Sequence, residues 1–575
     1  MLKGKDMTEQ IKEKCGLEPG ITLSKSGNVN VLPGMILQRD DLAIVVTGSP
    51  ACVRGIYKAV QALHKRNHLF ICPILPEDYG SDAWKKKLAA SVNMALRYEG
   101  LGGIIVYASC PDFLNRMNTE DIAPLLNNPD HVPVRVLFRG ALVSPSRPPK
   151  KYLQAILDEL PETGKKYARD FVPMPPVQTD FAGVSELLQC WDTYNVLLDA
   201  GGCSECFTLP REQEASFRLV KTRFETTGAM VAGENAAAEV IFRNLPQERT
   251  VPCCLLSSIM QGLLKMKASG VEEILRQKGV PVRLFETDGR RSSQEGVAAA
   301  LLVLAGTEHR PAEKPAGTDT AKRIGVLGAF PFACANADKI QHGLEHIGWD
   351  GYEAVVPEQL PLEELPRALS RVRMNWVVSA AAIPLAAKLE QEQGIPYMAS
   401  VPVGLRSMHF WRNRMNFLMR GDHEKDLEVE KMAVPRSQTR FLLAGDPVLM
   451  DGIRQYLRGQ AGCPDVTCAI YAPVASQKEW YEKMLPELDR HLLHGKDHSF
   501  TLFSSRAEWK TLVQKADCIV CDPLLRDSVA ASAEGCGKHW ILLPDGLLSR
   551  GLADCGEYRI FGKKGAAWLE EQIGQ

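Results

Sequence analysis

The sequence predicts an α/β protein built from several Rossmann-like domains, each a doubly wound parallel sheet. Three observations predict it. Short apolar, β-branched runs recur along the chain, each is followed by a longer stretch with helical periodicity, and the joints carry Gly, Pro, Ser or Asp. With 575 residues the chain exceeds what one core accommodates, and domains of about 100–200 residues suggest four units. These are placed at 1–170, 171–315, 316–435 and 436–575.

In the first unit the alternation runs strand Leu42–Thr47, a helix through Ala59–Lys65, strand Leu69–Ile74, helix Trp84–Arg97, strand Gly103–Tyr107, a helix after Asp121, and strand Val132–Phe138. The Pro-rich pieces Ser144–Lys151 and Val172–Val177 bracket a short helical pattern and mark the crossover to the second unit. There NVLLDAGGC, VPCCLLSS and GVEEILRQKGVPVRLFETDG repeat the order of parts of the first unit. Aligned as a degenerate repeat, Cys203 takes the place of Cys52, and Ser258 that of Cys110.

Gly306–Lys322 is polar, rich in Pro, Gly and Thr, and lacks apolar periodicity, which makes it the clearest linker. Limited proteolysis is expected to cut there first, and cleavage inside Trp84–Arg97 ahead of it would count against the domain map. RIGVLGAF opens the third unit, and MNWVVSAAAIPLAAKLEQEQGIPYM supplies its later strand, helix and strand. TRFLLAGDPVLMDGIRQYL opens the fourth, which runs through CAIYAPV, ADCIVCD and KHWILLP to a terminal helix Gly565–Ile573.

Chemistry concentrates in LAIVVTGSPACVRGIY, Leu42–Tyr57, where an apolar strand, a Gly-Ser-Pro turn and a helix start place a thiol at Cys52. The partial positive charge of a helix N-terminus favours a thiolate there, for metal ligation or nucleophilic chemistry. GGIIVYASCPDFL sets Cys110 at the end of another strand. Parallel sheets gather functional groups at the carboxyl ends of their strands, so two thiols at one sheet edge are candidate cofactor and metal ligands. GGCSEC adds Cys203 and Cys206 as an alternative pair, whereas Cys253–Cys254 and Cys518-x-x-Cys521 lie inside apolar strand patterns and read as core. His409, in SMHFWRNRM, either reaches a cofactor in the third unit or packs among its Met, Phe and Trp neighbours.

A net charge of −1 with 24% charged residues argues against a nucleic-acid or membrane-surface partner. The N-terminus lacks a signal-peptide apolar core, and no stretch approaches the roughly 18 apolar residues of a membrane span. A cytoplasmic protein is expected, with its 16 cysteines as thiols or metal ligands rather than disulfides. There is no G-x-x-x-x-G-K-[ST], no H-E-x-x-H, and no G-x-S-x-G at a strand–helix turn, which argues against a P-loop ATPase, a zincin and an α/β-hydrolase.

TGSPACVRGIY resembles the His-Gly-Pro-x-Gly-Cys-x-x-Tyr signature of nitrogenase component 1 type oxidoreductases, and VYASCPDFLNRMNTEDI resembles the second cysteine element of that family. MNWVVSAAAIPLAAKLEQEQGIPYM is similar to its Leu-Asn-Leu-Val…Gly-Ile-Pro-Tyr segment, and ILLPDGLLSRG…KKGAAWLEEQI to its C-terminal ending. The resemblance implies that Cys52 and Cys110 bind an iron–sulfur cluster, [4Fe-4S] in type, at a subunit interface. Two copies of the pair would complete the usual four ligands, and Cys15 is the one candidate for the family's further upstream ligand.

Three departures limit the carry-over. Thr47 stands for the family's histidine, Ala51 for its second glycine, and Ser379 for the cysteine that holds an iron–molybdenum-type cofactor. A neutral hydroxyl is a poor substitute for a thiolate toward iron, so neither that cofactor nor dinitrogen reduction is expected. The resemblance further implies electrons from a separate ATP-dependent iron–sulfur reductase, and a homo- or hetero-oligomer with another component 1-like chain. The expected function is a nitrogenase-like oxidoreductase component that reduces a substrate other than dinitrogen. The alternative is a non-catalytic scaffold or accessory protein for metallocluster assembly, and a metal-free descendant is a third reading.

Overall fold

The structure, a computed structural model, describes residues 20–23, 31–140, 143, 149–165, 167, 172–199, 218–223, 227–245, 252–258, 267–306, 322–420, 438–493, 499–545, 548 and 557–574. They fall into two compact units, Met1–Arg291 and Ser292–Gln575.

The first unit holds two sheets. Its strands are β1 (Gly20–Leu23), β2 (Leu42–Gly48), β3 (Leu69–Pro73), β4 (Gly103–Ala108), β5 (Val134–Phe138), β6 (Tyr194–Asp199), β7 (Arg218–Arg223), β8 (Cys253–Leu256) and β9 (Val282–Phe285). One sheet has the order β3-β2-β4-β5 and the other β1-β7-β6-β8-β9. Every pairing in them is parallel except β1 with β7. Without that antiparallel edge strand, both sheets place their strands in the order second, first, third, fourth, the arrangement of a doubly wound half-domain.

β2 is buried along its whole length, which accounts for its unbroken Leu-Ala-Ile-Val-Val run, since a central parallel strand is covered on both faces. Ala43, Val45, Phe70, Ile104 and Val106 pack with Trp84, Leu88 and Val92 of the helix Ala83–Leu96 into one core. The helix after β2 spans Pro50–Ala62, with proline in its first turn, where a missing N–H costs nothing.

One local expectation is overturned, and two strands come in addition. In place of a helix after Asp121 there is a single 3₁₀ turn, Ala123–Leu125, because Pro124 and the following Asn-Asn-Pro offer no run of donors to propagate. β1 and β7 were not expected from the sequence. Their runs are short and, in Arg218-Leu-Val-Lys-Thr-Arg, mostly polar, so they carry little apolar signal.

The second compact unit also holds two sheets. Its strands are β10 (Arg323–Leu327), β11 (Glu353–Val355), β12 (Met374–Val377), β13 (Tyr397–Ala399), β14 (Phe441–Ala444), β15 (Val466–Tyr471), β16 (Phe500–Phe503), β17 (Cys518–Cys521) and β18 (His539–Leu542). Their orders are β11-β10-β12-β13 and β16-β15-β14-β17-β18, all parallel. The helix Ser293–Leu304, opened by the reciprocal capping of Ser292 and Glu295, belongs to this unit. It packs on the helix Ile383–Gln393. No helix among the described residues is long and apolar enough to cross a membrane.

A carboxyl group in the turn Pro357–Gln359 gives a pH prediction. Both side-chain oxygens of Glu358 are buried without a hydrogen-bond partner, and burial pushes its pKa up to about 7. The unfolded chain releases that proton near the ordinary glutamate value, so stability falls as pH rises from there through about 7. Glu358→Gln should remove this slope and be the more stable protein at pH 8, by on the order of 2 kcal/mol. Urea midpoints measured at pH 5 and pH 8 check it, and equal pH dependence of the two proteins would contradict it.

Candidate functional site: a cysteine pair at a sheet switch point

In the sheet β3-β2-β4-β5 the chain leaves β2 and β4 on adjacent strands whose crossovers lead in opposite directions, the point where open α/β sheets form ligand crevices. Cys52 lies in the first turn of the helix that follows β2, and Cys110 opens the short helix Cys110–Leu114 after β4. Both thiols are partly exposed.

The two turns abut because Gly48 has no side chain. Its φ is +112°, and a Cβ there would lie 2.3 Å from Ser109 Oγ. Asp112, with no exposed surface, ties them together. Its Oδ2 accepts from Thr47 Oγ1 at 2.8 Å, from Ser109 Oγ at 2.7 Å and from the Ser109 N–H at 2.6 Å, and the Tyr79 hydroxyl donates to its Oδ1. Burial first, and then the Asp112 carboxylate, pushes the Tyr79 phenol far above its ordinary range, so it stays a donor. Thr47 is thus engaged by its hydroxyl. It anchors the carboxylate that sets both cysteine turns.

The end of β5 supplies a third support. Arg139 donates through Nη2 to the Cys52 carbonyl at 2.6 Å, and the Cys110 thiol points to the Arg139 carbonyl at 3.9 Å. The guanidinium lies over the Tyr107 ring, 5.0 Å from its centroid. Gly140, with φ +124°, leaves room for the sulfur, since a Cβ there would be 2.2 Å from Cys110 Sγ. Ser49 Oγ donates to Cys52 Sγ at 3.4 Å.

Asp112, Arg139, Tyr79 and the two glycines were not singled out from the sequence. Ser109-Cys110-Pro111-Asp112 does carry a recognisable signal, an acidic residue three positions after a serine at a helix start. Arg139 and Tyr79 come from distant segments and leave no local trace.

The cysteines inside the strands differ in kind. Burial raises the Cys72, Cys254, Cys468 and Cys518 thiols to about 12, and those of Cys253 and Cys521 are also pushed up by burial. Sulfurs held protonated in an apolar core are poor metal ligands. Cys15, Cys203 and Cys206 lie outside the described residues. Ser258, the counterpart of Cys110 in the second sheet, is buried with its hydroxyl donating to the Leu198 carbonyl at 2.6 Å.

Among the described residues, no group of three or more metal-ligating side chains includes Cys52 or Cys110. Two thiols with a guanidinium beside them suit part of an anionic iron–sulfur cluster. A four-ligand cluster therefore needs sulfurs from a second chain or from the cysteines outside the described residues.

The position expected to lack a cofactor cysteine lies in the second compact unit. Ser379, buried at the end of β12, donates to Asp446 Oδ2 at 2.9 Å, and the Ala380 N–H donates to the same oxygen at 3.0 Å. Asp446 follows β14 and caps the helix Pro447–Gly459 through the Val448 N–H. Burial raises its pKa. Close by, the fully buried Tyr481 phenol is driven well above its usual value by burial and by the Asp446, Asp545 and Glu295 carboxyls. A hard hydroxyl already bonded to a carboxyl, among further carboxyls, does not fit a large anionic metal–sulfur cofactor.

His409 is exposed on the helix Gly404–Arg420, so it does not pack in the core. The buried stripe is Met408, Trp411, Met415 and Met419, and position 409 turns outward from it.

Residues 268–502 match the family described as nitrogenase component 1 type oxidoreductase, a span that leaves out Cys52 and Cys110. Among solved structures, "Nitrogenase Cp1 at pH 6.5" is similar at 12% identity and a TM-score of 0.46, covering 71% of this chain and 93% of that one. "Nitrogenase Cp1 at pH 5" is similar at 13% identity and a TM-score of 0.40, covering 61% and 80%. No curated protein matches the chain.

Proposed function

We propose that this chain, nitrogenase component 1-like over residues 268–502, is a nitrogenase-like oxidoreductase component that receives low-potential electrons through an iron–sulfur cluster held by Cys52 and Cys110. The observation that supports the proposal is that the two cysteine turns follow the adjacent strands β2 and β4 at the switch point, tied to each other by Asp112 and flanked by Arg139. When bound, such a cluster supplies one-electron transfer at low potential. Asp112 holds the two turns at a set separation, Gly48 and Gly140 allow the close approach, and the Arg139 guanidinium offsets part of the negative charge that thiolate ligation brings.

The remaining ligands come from a second component 1-like chain, or from Cys203 and Cys206. Electrons come from a separate ATP-dependent iron–sulfur reductase, since the sequence has no P-loop. The Ser379–Asp446 contact argues against an iron–molybdenum-type cofactor, and so against dinitrogen as substrate. The same contact favours a second reading, a scaffold for metallocluster assembly, because it fills with protein groups the place where a catalytic cofactor would be held.

Anaerobic purification followed by iron and acid-labile sulfide analysis tests the proposal. Substantial iron and sulfide, with a cluster that becomes reduced when an iron–sulfur reductase and MgATP are added, is the expected result. A cluster that such a reductase leaves unchanged points to the scaffold. Near-stoichiometric molybdenum, or turnover with NADPH and no second protein, overturns the reading.

A further inference from the structure

The helices Ile383–Gln393 and Ala475–His491 meet at Glu390, Glu487 and His491, each of which offers a ligand atom within 4.8 Å of the other two. His491 Nδ1 is 2.9 Å from the Glu487 carbonyl oxygen, one turn earlier. A carbonyl oxygen only accepts, so Nδ1 carries a hydrogen and the ring orientation is fixed. Tyr397 stacks on the same ring, with centroids 3.8 Å apart and planes 13° from parallel, and holds it further.

Nε2 is then turned toward Glu390 Oε2, 3.0 Å away. In the neutral ring that nitrogen bears a lone pair facing the lone pairs of a carboxylate. The two repel unless a cation, a proton or a metal ion, lies between them. The second ring nitrogen on a backbone carbonyl is the usual outer-shell arrangement of a metal-binding histidine.

We propose that Glu390, Glu487 and His491 bind a divalent first-row transition ion of the zinc class, clamping the two helices together. Imidazole with two carboxylates is a donor set for zinc and its neighbours. At Zn–N and Zn–O distances of about 2.0–2.2 Å, tetrahedral ligands stand roughly 3.3 Å apart, so the 3.0 Å gap between Nε2 and Oε2 is already close to one edge. Glu487 Oε1 lies 3.6 Å from His491 Nδ1, so Glu487 completes the set by swinging its carboxylate toward the Nε2 side of the ring. Its Oε1 accepts from the Tyr397 hydroxyl at 3.1 Å, and its other oxygen pairs with Arg490, whose side chain is 69% exposed and free to swing away.

The side chains of His491, Glu487 and Glu390 are 14%, 24% and 36% exposed, which leaves access for an ion and a fourth, water ligand. A bound ion would join two helices that both pack on β13. Leu492, next after His491, already bridges to Ala399 of β13.

Full-length protein, stripped with EDTA and dialysed against zinc chloride, tests this by metal content per chain and thermal unfolding, for the wild type, His491→Ala and Glu390→Gln. The wild type should retain about one zinc more per chain than either variant, and zinc should raise its unfolding midpoint but not theirs. Glu390 is partly exposed, so Glu390→Gln keeps the test valid should His491→Ala fail to fold. Equal zinc content in all three proteins, or an equal midpoint shift, overturns the proposal and leaves a proton as the cation between Nε2 and Oε2.

Discussion

Replacing Cys52 or Cys110 with alanine is expected to lower the iron and acid-labile sulfide of anaerobically purified protein at least about tenfold, as loss of a cluster ligand should. The informative control is Cys72→Ala. Cys72 sits on β3, in register with Thr47 on the neighbouring strand, so it lies at the same sheet edge as the proposed ligands. It is buried, and its thiol is raised to about 12. Its removal should cost packing and leave iron unchanged. Iron retained in both Cys52→Ala and Cys110→Ala, at wild-type stoichiometry, would end the assignment. Iron lost equally in Cys72→Ala would mean that the readout follows folding rather than ligation. Because no third ligating side chain joins the pair among the described residues, a mixture of wild-type and doubly substituted chains also discriminates. A cluster shared between copies should fall more steeply than the fraction of substituted chain.

The α/β class and most strands of the first sheet were legible because buried parallel strands need continuous apolar runs, and β2 and β4, buried at every residue, carry them in Leu42–Val46 and Ile104–Ala108. The edge strand β1 and its neighbour β7 were not, since one run is short, the other mostly polar, and the two partners lie far apart in sequence. The cysteines were legible as a pair at strand ends. What makes them a site was not: Asp112 reaches back to Thr47, and Arg139 reaches Cys52 across 87 positions, contacts that no spacing rule contains. Ser379 shows the same limit. The sequence marks a missing thiol there, but only the fold shows that Asp446, 67 residues on, has taken up the hydroxyl. His409 shows a different one, since a helix rich in Met, Phe and Trp does not reveal which side its stripe faces until the helices it packs on, Gly562–Gly574 and Pro447–Gly459, are known.

Asp112→Ala is expected to destabilise the first compact unit by about 3–5 kcal/mol, the range for removing one partner from a buried charged network. The carboxylate is fully buried and accepts from Thr47, from the backbone and side chain of Ser109, and from Tyr79. Alanine would leave these buried donors without their acceptor. Asp112→Asn preserves shape and one acceptor oxygen, but turns an amide toward donors, and should cost less, about 1–2 kcal/mol. Denaturant midpoints give both numbers. Stability alone does not separate a packing role from positioning of the cysteines, so the decisive reading is iron per folded chain. If Asp112 sets the separation of the two turns, Asp112→Ala should hold markedly less iron than wild type even under conditions where it is fully folded, with Asp112→Asn in between and an altered cluster spectrum in both. Folded Asp112→Ala with wild-type iron and an unchanged spectrum would reduce Asp112 to a structural cap of the Cys110 turn.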